Sequence, residues 1–338
     1  MDLLDLNSST NMSLEPGAAQ QGPAEHRIAA LIFHSLVFIV GVVVNLTALS
    51  VFALTTKKKN SVTVYMINVA LVDLLFIALL PFKITHHHLD RWPFGDVFCR
   101  VSAALTVFYP CMALWLFALI SADRYMAIVQ PKHVKELRNV PKAVVGSVGV
   151  WLMTLGGTVP LVFPRDDPDS GSNFTTCVKM QDIDYLRRDN PVNFVRLVFF
   201  FLLPICVMLG CYVVIVDNLI HGRTSKLKPK VKQKSVRIIV TLIVQVLVCF
   251  VPFHVCLVVR LLETDTGGFH AWAVFTTYLM NLSTVLDIVL YYIVSKQFQD
   301  RVISVILYRN YLRSVRRKSR HTHTGSIRSL SNLNSAMI

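Results

Sequence analysis

The sequence predicts an all-α membrane protein built as a bundle of seven transmembrane helices. Of its 338 residues, 54% are apolar and only 16% are charged, and the mean hydropathy is +0.53. A soluble protein of this length carries a larger share of charged residues on its surface. Apolar runs that reach the roughly 20 residues needed to cross a bilayer recur seven times along the chain.

Five of the seven runs contain no charged residue. They cover residues 28–56, 101–122, 143–163, 197–216 and 238–259. The other two, 61–82 and 271–295, each contain one acid, Asp73 or Asp287. A charged side chain at the centre of a bilayer costs about 2.5–3.5 kcal/mol on insertion scales. We therefore expect both acids to face the interior of the bundle.

Polar residues inside the spans predict a buried network. Asp73 and Asp287 are joined in the pattern by Asn45 in the first span and Ser283 in the seventh. Such a group either packs the bundle through hydrogen bonds or holds a proton, a sodium ion or water between its two carboxylates. The sequence leaves these alternatives open.

Lysine and arginine are concentrated in alternate loops. Basic runs follow the first, third, fifth and seventh spans, whereas the loop after the fourth span contains several aspartates. Because basic loops stay in the cytoplasm, we expect residues 1–27 to be extracellular and the C-terminus cytoplasmic, in a multi-pass protein of the plasma membrane. The net charge of +14 then orients the spans and indicates no nucleic-acid partner. N-linked glycosylation is expected at Asn7, Asn11 and Asn173.

Two of the seven cysteines lie in segments assigned to the outer face. They are Cys99, ahead of the third span, and Cys177, in the loop between the fourth and fifth spans. Because the extracellular space is oxidising, we expect these two to form a disulfide bond. The other five lie within spans and are expected to be free, small apolar residues.

Two cations in the outer halves of spans predict a site for an anion. Lys83 follows Pro81 at the end of the second span, and Arg196 begins the fifth. The alternative is that both side chains extend to the lipid head groups, as long cationic side chains readily do. If both face a cavity, they would hold the head group of an anionic lipid, while aromatic residues including Tyr109 hold its apolar body.

The tripeptide Asp123-Arg124-Tyr125 ends the third span on its cytoplasmic side. An acid and a base next to hydrocarbon are costly to place there, so their presence indicates a function. The position predicts a protein that passes a signal to a cytoplasmic partner.

No pattern in the sequence predicts a catalytic centre, a metal site or a cofactor. His86, His87 and His88 are consecutive, so their side chains point in different directions around a helix. A membrane hydrolase needs histidines and acids that converge inside the bundle. A retinal protein needs a lysine in the seventh span, which has none. A transporter needs a polar path through the bilayer, and the pattern favours a receptor over these classes.

Motifs in all seven spans together resemble the rhodopsin-like (class A) G-protein-coupled receptors. The motifs are Gly41 to Asn45, Asn68 to Asp73, Trp92 to Gly95 before Cys99, Asp123-Arg124-Tyr125, Trp151, Pro160, Pro204, Tyr212, Pro252, Tyr291 and Phe298. Each motif is weak alone, but their order and spacing over nearly the whole chain are specific.

The resemblance implies a mechanism. In the resting state Asp123 would pair with Arg124. On activation the sixth span would move outward, and Arg124 would reach Tyr212 and Tyr291 and contact a heterotrimeric G protein, of the inhibitory Gi/o type in this branch of the family.

The resemblance also divides the chain. The bundle would occupy residues 28–295, and an amphipathic helix anchored by Phe298 would occupy residues 296–312. The remaining residues 313–338 would be a disordered cytoplasmic tail whose serines and threonines are phosphorylated by a receptor kinase and then bound by arrestin.

The expected ligand follows from the same branch, which responds to lipids and nucleotides. Phe250 and His254 of the sixth span would complete a ligand site with Lys83, Tyr109 and Arg196. An N-acyl glycine or a related fatty-acid derivative fits the two cations. The alternatives are a nucleotide ligand, a peptide ligand, or an orphan receptor with high basal activity.

Several residues depart from the family pattern. The seventh span has Asp287 and Ile288 in place of the usual Asn and Pro, and Phe250 replaces a common Trp. Ala113 replaces a serine that often binds sodium, so sodium binding near Asp73 is in doubt. Lys232 stands where many receptors have an acid that holds Arg124 at rest. We therefore expect appreciable signalling without ligand.

Overall fold

The computed structural model describes residues 24–56, 59–89, 91–129, 139–159, 191–221, 228–262, 269–304 and 307. Seven helices within these ranges are long and apolar enough to cross a membrane, in agreement with the sequence. Several expected features lie outside the described residues, namely Asn7, Asn11, Asn173, Cys177, Pro160 and the tail 313–338.

The seven helices follow one another along the chain, and the described residues form no β-strand. Helix α1 is Ala24–Leu49 with a π-helical turn Ser50–Thr55, α2 is Ser61–Ile77 continued by Leu80–Leu89, α3 is Gly95–Val129, and α4 is Val140–Thr158. Helix α5 joins Pro191–Leu197, the π-helical Val198–Leu202 and Leu203–Ile220. Helix α6 joins Pro229–Gln245, the π-helical Val246–Phe250 and Val251–Leu262, and α7 is Phe269–Val294.

Most helices extend beyond the apolar runs that predict them. The largest difference is in α3, which is 35 residues long where the apolar run covers 101–122. At 1.5 Å per residue α3 spans about 50 Å, against a hydrocarbon core of about 30 Å. Its ends therefore reach the polar head-group regions, where charged side chains are tolerated. Asp123 and Arg124 consequently lie within α3 rather than at its end.

Prolines interrupt three of the helices. The π-helical turns of α5 and α6 each end two residues before a proline, Pro204 or Pro252, and α2 has a turn at residues 78–79 before Pro81. A proline ring clashes with the carbonyl group one turn earlier and offers no N–H donor, so the backbone loosens there. In contrast, α3 continues through Pro110 without a break.

The short segment 296–304 is helical and follows a break at Ser295. The hydroxyl of Ser295 accepts a hydrogen bond from the backbone N–H of Phe298 (3.2 Å), which caps the start of the segment. The Phe298 ring is 1% exposed and packs edge-to-face against Tyr291 in α7, with ring centroids 5.8 Å apart. The amphipathic helix over residues 296–312 remains a prediction.

The outer surfaces of the helices are apolar and the interior is partly polar. Large exposed side chains such as Val43, Val145 and Val213 cover surfaces that face lipid. Since lipid gives no hydrophobic driving force between helices, close packing and hydrogen bonds must join them. The indole N–H of Trp151 in α4 donates to Oδ1 of Asn68 in α2 (2.8 Å). A Cβ at Gly157 would lie 2.7 Å from the Phe200 ring, so α4 and α5 approach closely there.

Candidate functional site

Asp123 and Arg124 lie in the last turns of α3, at the end predicted to be cytoplasmic, and are almost fully buried, with 0% and 7% exposure. Arg124 donates from Nη2 to Oδ2 of Asp123, and the hydroxyl of Ser61 in α2 donates to Oδ1. The carboxylate therefore neutralises its neighbour and also joins α3 to α2. This is the pairing that the sequence predicts for the resting state. Tyr125 is partly buried and packs against the hydrophobic core.

The two tyrosines expected to meet Arg124 on activation have other partners here. The hydroxyl of Tyr212 in α5 hydrogen-bonds Oγ of Ser121 (2.7 Å). The hydroxyl of Tyr291 in α7 donates to Oδ1 of Asn45 (2.8 Å) and lies 3.2 Å from Oδ2 of Asp73. Both hydroxyl groups therefore form hydrogen bonds with polar side chains inside the bundle. This is the arrangement expected for the resting state.

A contact between α6 and α7 was not anticipated from the sequence. Nζ of Lys234 in α6 donates to the backbone carbonyl of Val294 at the end of α7 (2.6 Å). The last carbonyl groups of a helix lack partners within the helix and carry partial negative charge, so a cation is stabilised there. The range 229–259 contains no acid that could pair with Arg124. Lys234, two residues after Lys232, thus joins the two helices in another way.

The predicted buried polar residues meet in the middle of the bundle. Nδ2 of Asn45 donates to the carbonyl groups of Gly41 (3.0 Å) and Thr284 (2.9 Å), which holds α1 against α7. Asp73 and Asp287 are each 2% exposed, and Asp73 in α2 accepts a hydrogen bond from the hydroxyl of Tyr291 in α7 (3.2 Å). The structure therefore brings together side chains from spans that are up to 246 residues apart in sequence.

Two further residues belong to this network. Nε2 of Gln245 in α6 donates to Oδ1 of Asp287 (3.1 Å) and to the carbonyl of Ser283 (3.2 Å). The hydroxyl of Tyr109 in α3 hydrogen-bonds Oγ of Ser283 (2.5 Å), and the residue is 1% exposed. Gln245 was missed, although an amide inside an apolar span is itself a signal. Tyr109, expected in the ligand site, lies with the polar network.

Lys83 lies in the half of α2 that is predicted to be the outer one, and its side chain points into the bundle. It is 7% exposed, and Nζ donates to Oγ1 of Thr106 in α3 at 3.3 Å. Nζ also lies 5.4 Å from the centre of the Phe76 ring, within the range of a cation–π contact. The nearby rings of His34 and His87 stack with centroids 5.4 Å apart. The side chain therefore does not extend to the lipid head groups.

Arg196 occupies a different part of the outer half. Its Nε donates to the carbonyl of Gly157 in α4 (2.9 Å), and the residue is partly exposed. These two hydrogen bonds join Lys83 to α3 and Arg196 to α4.

Phe250 and His254 are buried in α6 on either side of Pro252. The Phe250 ring is 0% exposed and packs near the rings of Tyr109 (6.3 Å) and Phe117 (5.9 Å). The His254 ring stacks on Phe201 of α5 at 4.0 Å and 7°, while Nδ1 lies 2.8 Å from the carbonyl of Phe250. The two side chains form an aromatic layer between α3, α5 and α6.

Cys99, near the start of α3, is disulfide-bonded. It packs with Trp92, whose indole N–H donates to the carbonyl of Gly95 (2.9 Å). Gly95 has a φ of +79°, which a residue with a side chain rarely adopts, so glycine suits the start of α3. The expected partner, Cys177, lies outside the described residues.

Comparison with known proteins identifies the class of protein that this bundle represents. The pattern of the 7 transmembrane receptor (rhodopsin family) matches residues 44–291. The chain belongs to this family, and it is a receptor rather than an enzyme. Its partner is therefore a heterotrimeric G protein, and it is a multi-pass protein of the plasma membrane.

Individual receptors of this family share different fractions of the sequence with this chain. The chain is 62% identical to the N-arachidonyl glycine receptors of Macaca fascicularis and Homo sapiens, over 94% of its length and 95% of theirs. It is 33% identical to the lysophosphatidic acid receptor 6 of Gallus gallus, over 69% of its length and 76% of that receptor. The stretches Ile120–Lys132 and His221–Lys232 also resemble the N-arachidonyl glycine receptor. The predicted membership of the rhodopsin-like receptors is confirmed.

Proposed function

We propose that this receptor is activated by an anionic lipid, an N-acyl glycine or a related fatty-acid derivative, bound in the outer half of the bundle. One observation carries the proposal. Lys83 is buried, and its partners among the described residues are a hydroxyl group and an aromatic ring. A buried ammonium group is costly without a negative partner, and the carboxylate of such a lipid supplies one.

The surroundings of Lys83 and the relatives both support this ligand class. Phe76 lies against the ammonium group, and the aromatic layer of Phe250 and His254 provides apolar surface for an acyl chain. The relatives that share 62% identity take their name from N-arachidonyl glycine, an acyl chain that ends in a carboxylate. Arg196, on the other side of the outer half, is proposed as a second cation for the head group.

A charge series on the lipid tests the proposal. We expect N-arachidonyl glycine to activate the wild-type receptor, and its methyl ester, which lacks the negative charge, to be at least about tenfold less potent. In Lys83→Met the acid should lose most of its advantage over the ester, because one of the two proposed cations at the head group is gone. Nucleotide exchange on purified G protein gives the readout.

Arg196→Met is the companion variant, because it removes a cation that contacts a different helix. A reduced preference for the acid in both variants would place both cations at the head group. If the full preference for the acid survives in the double variant, the carboxylate is held elsewhere and the proposed ligand site is wrong.

We infer that the G protein docks at the cytoplasmic cavity next to Arg124. This cavity has a volume of about 670 Å³ and is lined by residues of α1, α2, α3, α6 and α7 and by the segment that begins at Lys296. Outward movement of α6 would widen it, as the π-helical turn before Pro252 allows.

We also propose that the receptor couples to an inhibitory Gi/o protein. Nucleotide exchange measured in parallel on purified Gi, Gs and Gq should show the largest rate with Gi. Equal or larger rates on Gs or Gq would contradict it. The serine- and threonine-rich tail 313–338 is proposed to bind arrestin after phosphorylation by a receptor kinase.

The proposed orientation has an extracellular N-terminus, with glycosylation at Asn7, Asn11 and Asn173. Treatment of the receptor from cells with an N-glycosidase should lower its apparent mass, and substitution of the three asparagines by glutamine should abolish that change. An unchanged mass on treatment would contradict the assignment of the sequons.

A further inference from the structure

The cytoplasmic cavity is lined by more basic than acidic side chains, and the proposed docking of a G protein does not give each of them a role. Four cations line it, and they come from three parts of the fold: Arg124 in α3, Lys230 and Lys234 in α6, and Lys296 after α7. Asp300 is the one acid among the lining residues. A concave site lined mostly by one sign of charge concentrates counter-ions of the opposite sign.

The four cations differ in whether they already have an ion-pair or hydrogen-bond partner. Arg124 is paired with Asp123, and Lys234 donates to the carbonyl of Val294. Lys230 and Lys296 are exposed and make no ion pair or hydrogen bond within the described ranges of the chain. Two ammonium groups on separate elements, α6 and the segment after α7, are therefore available to bind an anion from the cavity.

The backbone adds to the positive potential of the cavity. The start of α2 lines the cavity, where Oδ1 of Asn60 accepts from the N–H of Thr63 (2.9 Å). The helical segment that starts after Ser295 also lines it. The N-terminal end of a helix carries partial positive charge, and residues from both of these helix starts line the cavity together with the lysines.

We propose that this cavity binds a phosphate-bearing anion of the inositol phosphate class, held by Lys230 and Lys296 in the resting receptor. Lysine is a point-charge ligand for phosphate, and a molecule with several phosphate groups reaches lysines on separate elements at once. A cavity of 670 Å³ has room for a ligand of small-molecule size. The source is either a soluble inositol phosphate or the head group of an inner-leaflet lipid.

The bound anion has a functional consequence that depends on the proposed docking of the G protein. It joins Lys230 of α6 to Lys296 after α7, and outward movement of α6 separates them. The anion therefore binds more tightly to the resting arrangement than to the active one, and it shifts the population towards rest. We expect it to lower ligand-independent nucleotide exchange.

Direct binding tests the site without a lipid agonist or a G protein. Purified receptor in neutral detergent is titrated with inositol trisphosphate, and the melting temperature is followed, since a ligand of the folded state raises it. We expect saturable stabilisation that unphosphorylated inositol does not produce. Lys230→Gln and Lys296→Gln should each weaken binding about tenfold.

Lys232→Gln is the matched control, because it removes the same charge from the same helix at a position that does not line the cavity. An unchanged affinity in this variant supports a defined site. Equal losses in all three variants would show general charge attraction and overturn the proposal, as would the absence of any stabilisation.

A second arm identifies the source of the phosphate groups. The receptor is placed in nanodiscs of neutral lipid, with and without phosphatidylinositol bisphosphate. Competition between this lipid and soluble inositol trisphosphate, lost in Lys230→Gln, assigns the lipid head group to the same cavity. Stabilisation by the soluble compound alone assigns the site to a soluble ligand. If the lipid stabilises Lys230→Gln and Lys296→Gln as well as the wild type, and the soluble compound does not bind, the cavity is not the site.

Discussion

Arg124 and Lys83 are two buried cations at opposite ends of the bundle, and they differ in their counter-charges. Arg124 is 7% exposed and is paired with the adjacent carboxylate of Asp123, which Ser61 also supports. Lys83 is equally buried, and its described partners are the hydroxyl of Thr106 and the ring of Phe76. The first cation has its counter-charge within the protein, so it suits a switch that opens. The second has no acidic partner among the described residues, so it suits a ligand site.

Substitutions at the two buried cations or their partners are therefore expected to have opposite effects on stability. Removing the partner of a satisfied buried charge leaves that charge without compensation. Removing a buried charge that has no acidic partner among the described residues, such as Lys83, eliminates an existing cost. The largest effects are therefore expected at Asp123 and Lys83, with opposite signs.

The largest effect is expected from Asp123→Asn, which keeps the shape of the side chain and removes its charge. Breaking a buried ion pair costs about 3–5 kcal/mol. Without the negative charge of Asp123, Arg124 is more stable outside its buried position. Basal nucleotide exchange should therefore rise about tenfold or more, while the melting temperature falls. Exchange on purified G protein and thermal unfolding measure the two changes.

Ser61→Ala is the control for Asp123→Asn, since it removes one hydrogen bond to the carboxylate and keeps the ion pair. Its cost should be about 1 kcal/mol. Basal exchange no higher in Asp123→Asn than in Ser61→Ala would mean that the ion pair does not restrain the resting state.

The next effect is expected from Lys83→Met, which replaces the ammonium group by an apolar side chain of similar length. Replacement of buried charge by well-packed apolar groups is often neutral or stabilising, by about 1–4 kcal/mol. The ligand-free receptor should therefore be at least as stable as the wild type. Thermal unfolding without lipid gives the measurement, and a clear loss of stability would show that Lys83 has an internal counter-charge.

A smaller effect is expected from Lys234→Met, which removes the hydrogen bond to the Val294 carbonyl. The side chain is exposed, so the contribution should be about 1 kcal/mol, and basal exchange should rise up to about fivefold. Lys232→Met is the matched control and should leave exchange unchanged. Equal increases in the two variants would assign the effect to charge alone rather than to the bond between α6 and α7.

The smallest effect is expected from Tyr109→Phe. Loss of its hydrogen bond to Ser283 should lower the free energy of unfolding by about 0.5–1.5 kcal/mol. The potency of the lipid should change less than about threefold, because the hydroxyl lies in the polar network. A loss of potency as large as that in Lys83→Met would return Tyr109 to the ligand site.

The sequence predicted several members of the buried polar network but not all of the contacts between polar residues. It placed Asn45, Asp73, Ser283 and Asp287 in one network, because charged and amide groups inside apolar spans must face other helices. It did not place Tyr109 there, since a tyrosine suits both a ligand site and a polar core. It also missed the bond from Lys234 to Val294, because a backbone carbonyl leaves no signal in the sequence.

The sequence by itself determined the seven spans, their order and the family, because these depend on local hydrophobic length, loop charge and motif spacing. The tertiary structure decided which side chains meet. Tyr109 and Ser283 are 174 residues apart, and Asn45 and Tyr291 are 246 apart. The partner of a buried group depends on the rotation and tilt of whole helices, which are set by packing against neighbours rather than by local sequence. For the same reason, only the structure shows that Arg124 is paired with Asp123, whereas the partners of Lys83 among the described residues are a hydroxyl group and an aromatic ring.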